Sequence, residues 1–155
     1  MINIENTINT ISTAFKDVSR PSSDAMFSKY TAPSDLQKAK HIYLEQDKCK
    51  LTIDQMNHNN DLIFFMTQEA FVYFLPRIME LCLLNPKTTL DMTYIIMDIF
   101  SVESHNQKYN SERKPKIEQL MTPIRQDAVL KFLDAWESLR PGALIRDELW
   151  LSRLT

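Results

Sequence analysis

Asp91 and Asp98 are the two carboxylates whose spacing most suggests chemistry. In a helix they sit two turns apart on one face, so they could converge on a common target. His105 follows closely, and these three residues form the strongest catalytic or zinc-binding candidate in the chain. The other histidines, His41 and His58, belong to different segments, and no pair stands at i, i+3 or i+4. Neither CxxC nor HxxxH occurs, so convergent metal ligands are not signalled. Surface or capping roles account better for the histidines. The acids read more simply as the solvated edges of amphipathic helices.

Other chemistries are excluded more firmly. The chain has one glycine, Gly142, among 155 residues. A phosphate-cradling loop or a dinucleotide fingerprint needs several, and no serine stands in a GxSxG context. Cys49 and Cys82 are isolated and read as reduced, buried small residues rather than as a disulfide. The net charge of -2 gives no reason to expect nucleic acid. The basic run "SERKPK" is short and balanced by Glu112 and Glu118. No catalytic residue, cofactor or metal is assigned on these grounds.

Scarce glycine also speaks to architecture, because hairpins lean on it for positive φ. The expectation is one all-α domain over 1–155, with about five to seven helices around a kinked central one; α+β with a minor sheet is the alternative. The first helix is expected over Ile4 to Val18, where Ile4, Ile8, Ile11 and Phe15 recur at helical spacing. "SRPSS" breaks it, and a short helical piece is expected around Asp24 to Tyr30. Ser34 is read as the cap of "SDLQKAKHIYLEQD", and Thr52 as the cap of a short helix after it.

The stretch "TQEAFVYFLPRIMELCLLNP" is the centre of the chain. Thr67 suits an N-cap, with Glu69 in the first turn where the helix dipole favours a carboxylate. Glu69, Tyr73, Arg77 and Glu80 fall into one narrow stripe, and nearly everything else is apolar, so other elements must surround this helix. Pro76 removes one backbone hydrogen bond mid-helix, at about 3 kcal/mol in an ordinary interior, and implies a bend that wraps the helix around its neighbours. Leu90 to Phe100 suits either a helix or a buried strand.

Residues 103–116 read as an exposed loop. In "TPIRQDAVLKFLDAWESL", Thr122 caps, Pro123 takes the first helical position, and Ile124, Ala128, Phe132, Ala135, Trp136 and Leu139 form the buried stripe. Asp127, Lys131, Asp134 and Ser138 face away. "RPGA" has proline and glycine in type II turn order, and "IRDELWLSRL" could form a last helix. Phe71, Phe74, Leu75, Ile78, Phe132 and Trp136 are expected in one core. The N-terminus has no signal-peptide pattern and no segment is long enough to span a bilayer, so the expected location is cytoplasmic.

The segments "DLIFFMTQEAFVYFLPRIMELCL", "LMTPIRQDAVLKFLDAWESL" and "ISTAFKDVSRP" together resemble a small bacterial family of unknown function. Its members carry an "EAFRYYLP"-type central helix; Val72 stands where an arginine is common. The resemblance implies a small protein associated with immunity to bacterial toxins, and supplies no catalytic residues. Three functions follow as expectations. The first is a non-enzymatic binding protein, an immunity protein that blocks a cognate toxin domain, with no nucleic-acid or membrane partner. The second is a regulatory or scaffolding module. The third is an enzyme built on Asp91, Asp98 and His105.

Overall fold

The computed structural model describes residues 2–101, 116–146, 149 and 151. The fold is all-α. Among the described residues there is no strand, only two isolated bridges, Phe27 with Met66 and Ser101 with Leu149.

Helix α1 spans Ile4–Ala14, capped by the Asn3 side chain, which accepts from the Asn6 amide at 3.1 Å. Ile11 and Phe15 are buried, as their spacing requires. The helix stops short of Val18 because Arg125 Nε takes the Ala14 carbonyl at 3.2 Å, and the chain turns. A 3-10 turn, Ser23–Ala25, replaces the helix expected around Asp24 to Tyr30. Helix α2, Pro33–Ala39, starts from Ala32, with Pro33 at the first turn. Ser34 is therefore inside the helix and not its cap: proline, lacking an N–H and fixed in φ, suits that first position better. A π-helical turn, Lys40–Leu44, continues α2. Arg20 Nη2 closes it by donating to the carbonyls of Tyr43, Leu44 and Gln46 at 3.1, 2.8 and 3.3 Å.

Helix α3, Ile53–His58, carries a complete capping box between Thr52 and Gln55. Helix α4, Gln68–Leu84, runs unbroken through Pro76. Thr67 caps it, accepting from the Ala70 amide at 3.3 Å, and the Thr67 amide donates to the Met26 carbonyl at 2.9 Å. Twelve of its residues are buried, Tyr73 of the polar stripe among them, which leaves Arg77, Glu80 and the two ends as its accessible parts. It packs against α1, α5, the last helix and a 3-10 turn at Lys48–Lys50.

Leu90–Phe100 is helical and forms α5. Its cap position, Thr89, makes no capping bond because its hydroxyl faces inward. Helix α6 spans Pro123–Leu139; Thr122 caps it and Pro123 opens it. Ala128, Phe132, Ala135 and Trp136 are buried, together with Val129 and Leu133. Ile124 and Leu139 are exposed, contrary to the stripe drawn from sequence, since both lie at helix ends beyond the neighbouring elements. All six expected core residues lie in one continuous hydrophobic cluster that includes Ile11 and Leu151. Of the expected loop 103–116 only Lys116 is described, and it is helical; much of the expected terminal helix likewise lies outside the described residues. No helix among the described residues is long and apolar enough to cross a membrane.

Candidate functional site

The polar stripe of α4 has a specific structural purpose. The Tyr73 hydroxyl accepts from the Lys48 amide at 3.4 Å, while its ring lies 4.9 Å beneath the Lys48 Nζ. One turn on, Arg77 donates through Nε and Nη2 to the Leu51 carbonyl at 3.2 and 3.0 Å. Its Nη1 pairs with Glu80 Oε2 at 2.9 Å. Two side chains spaced i, i+4 on α4 thus hold both ends of the Lys48–Leu51 turn. The turn then forms one wall of a cleft of about 310 Å³, with α1 opposite and Pro76 lining it from α4. Burial holds the Lys48 ammonium below the usual lysine range.

Cys49 lies exposed on this wall, against the expectation that both thiols are buried. It sits on a short turn held at its edges, where no second layer of chain covers it. Cys82 is enclosed in α4, and burial pushes its thiol up to about 12.

A second surface lies at the far end of α4. Arg140, Pro141, Gly142 and Ala143 form a turn closed by the Ala143 amide on the Arg140 carbonyl at 3.1 Å. Gly142 has φ +77°, as the second central residue of a type II turn requires. The turn and Pro86 enclose a shallow concavity of about 440 Å³ that also includes Leu139 and Lys87. Leu139, which lines it, is 39% accessible; Leu84, two residues before Pro86, is 57% accessible, and Ile145, two residues after Ala143, 77%. The support is rigid. The Tyr94 hydroxyl donates to the Ala143 carbonyl at 3.2 Å and accepts from the Ile145 amide at 3.0 Å. Arg140 donates to the Pro86 carbonyl at 3.4 Å and lies over the Trp136 ring.

The sequence-derived catalytic candidates do not form a site among the described residues. Asp91 is exposed and Asp98 half-buried on α5, and His105 lies outside the described residues. Among the described residues no three metal-ligating side chains cluster. His41 Nδ1 meets Glu45 Oε2 at 2.8 Å and His58 Nδ1 meets the Asp54 carbonyl at 2.7 Å, both of them local helix contacts.

Residues 3–150 match a family whose members share no assigned function. The chain belongs to DUF6714, a family of unknown function. No curated protein and no solved structure matches the chain. The DUF6714 match covers α1 through the Gly142 turn, so both surfaces lie within it. Of their residues, the sequence had drawn attention to Ile8, Cys49, Tyr73, Pro76, Arg77, Glu80, Leu139 and Gly142. It missed Lys48, Ile145 and Tyr94. A polar stripe on an otherwise buried helix was the one available signal, since buried polar groups need partners.

Proposed function

We propose that this DUF6714 protein acts by binding another protein and turns over no substrate. The concavity beside Gly142 carries this reading: the accessible Leu139 lines it, the accessible Leu84 and Ile145 lie two residues from its lining residues Pro86 and Ala143, and Tyr94 and Arg140 hold its support. Clustered exposed apolar groups mark interaction surfaces. A preformed support lowers the ordering cost of association. Lys87 and Arg140 rim the concavity, so the matching partner surface is an apolar side chain flanked by carboxylates.

Within this reading the partner is a cognate bacterial toxin domain, which the protein neutralises in the cytoplasm by covering its active site. The support for that finer assignment is the resemblance of the central helix and of α6 to a family associated with toxin immunity. Co-expression tests it. The protein should protect cells from one toxin encoded beside it, and the pair should elute as one species from a sizing column. Protection without co-elution, or co-elution without protection, contradicts neutralisation by direct blocking.

A further inference from the structure

The cleft beside Pro76 shares no lining residue with the concavity at Gly142. Its lining mixes apolar, neutral polar and charged groups. Its volume falls at the lower end of the range typical of ligand pockets. Ile8 and Pro76 supply apolar surface, and Asn9 and Ser12 on the accessible face of α1 supply neutral hydrogen-bonding groups.

Charge narrows the ligand class. Besides the Cys49 thiol, three ionisable side chains line the cleft: Lys48, Arg77 and Glu80. Arg77 and Glu80 neutralise each other, and Arg77 Nε and Nη2 each donate to the Leu51 carbonyl. Lys48 has no carboxylate partner among the described residues. It is held instead over the Tyr73 ring, so one half-buried ammonium is left with a π face on one side and the cleft on the other. A single uncompensated cation suits a monoanion. A dianionic phosphate would meet the Glu80 carboxylate without a second free cation.

We propose that the Pro76 cleft binds a small monocarboxylate with a short aliphatic body, its carboxylate on Lys48 Nζ and its chain against Ile8 and Pro76. Asn9 and Ser12 complete the polar shell. The stacking of Lys48 on Tyr73 and the Arg77 bonds to Leu51 hold the wall in place before the ligand arrives.

Butyrate is the probe, with 1-butanol as its neutral counterpart. Titrated into the full-length protein at constant ionic strength, butyrate should produce saturable amide shifts at Asn9, Ser12, Lys48 and Cys49. Butanol should leave them unsaturated over the same range. Lys48→Met keeps the aliphatic stem and should weaken butyrate at least tenfold while the thermal melt stays put. A second readout uses the unaltered protein. Alkylation of the exposed Cys49 by neutral iodoacetamide should slow at least twofold in saturating butyrate, and not in equimolar chloride. Equal responses to butyrate and butanol, undiminished binding in a folded Lys48→Met variant, or unprotected Cys49 would each overturn the assignment.

Discussion

Trp136 donates its indole N–H to the Thr89 hydroxyl at 3.2 Å, in a position sealed from solvent on every side. The same hydroxyl lies 2.8 Å from the Asn85 carbonyl and 3.2 Å from that of Cys82. Thr93 then donates to the Thr89 carbonyl at 2.8 Å. One threonine at the head of α5 thereby joins the last turn of α4 to the last turn of α6. The joint also supports the Gly142 concavity, because Trp136 lies under Arg140.

Thr89→Val keeps the shape of the side chain and removes the hydroxyl. The indole N–H then loses its partner inside the core, while the Cys82 and Asn85 carbonyls keep the Asn85 and Thr88 amides. The expected destabilisation is about 1–3 kcal/mol, the cost of leaving a buried polar group unsatisfied. Urea denaturation followed by tryptophan fluorescence measures it. An unchanged midpoint would show that the node carries no stability.

Arg125 occupies the corresponding position at the other end of the bundle. It donates to the Ala14 carbonyl at 3.2 Å, to the Leu120 carbonyl at 2.7 Å and to Asp17 Oδ1 at 2.9 Å, with its side chain largely buried. The Asp17 carboxyl is held below its usual range by that hydrogen bond, but it is solvent-exposed and adds little. Arg125→Ala should cost about 1.5–3 kcal/mol through the two carbonyls. Arg125→Lys should recover only part of this, since one ammonium cannot reproduce the fork. Full recovery by lysine in denaturant melts would make charge alone sufficient.

How much of this was legible beforehand depended on the distance over which each residue acts. The caps Thr52, Thr67 and Thr122 could be read directly, because a cap and its target are three residues apart. The α4 stripe was equally visible, and so was the type II turn at Gly142. Leu90–Phe100 was ambiguous because its many β-branched and apolar residues suit both periods. The cleft was hidden, since its wall comes from the Lys48–Leu51 turn, 26 residues before Arg77. Arg125 reaches Ala14 across 111 residues, so the early end of α1 had no local cause to detect. Asp91 and Asp98 share a helix face as expected, yet among the described residues nothing converges on them with a third ligand.

The two cysteines should behave oppositely in the folded protein. Cys49 is exposed and Cys82 buried, so iodoacetamide at neutral pH should modify one thiol and denaturant should release the second. Burial also raises the Cys82 thiol from 9.0 to about 12. Above pH 9 the unfolded chain ionises first, which favours unfolding. Stability should therefore fall between about pH 9 and 12, by at most roughly 1.4 kcal/mol per unit from this group. Tyr43, whose hydroxyl is also raised by burial, contributes in the same direction at the upper end. Cys82→Ala should flatten the slope between pH 9 and 10. An unchanged slope would assign the alkaline loss to other groups.

Gly142→Ala tests the turn that shapes the concavity. There is open space for the added methyl group, as no atom beyond the adjacent residues lies within 4 Å of its position. The penalty comes from the backbone, whose φ of +77° suits few side chains. A loss of about 1 kcal/mol is expected, with partner binding weakened if the turn relaxes. A thermal melt and a binding isotherm on the same sample separate the two effects. A stabilised variant would show that the turn can change its conformation.

Calorimetric titration of the purified protein against a toxin domain of the kind the proposed function requires tests the central claim most directly. The account predicts one-to-one binding. It also predicts that Ile145→Asp together with Leu139→Asp weakens the affinity at least a hundredfold, because charges would replace apolar anchors, while the melting temperature changes little. Binding that survives both substitutions would contradict the placement of the interface. Absence of any binding heat or co-elution would contradict the claim that this protein acts by holding that partner.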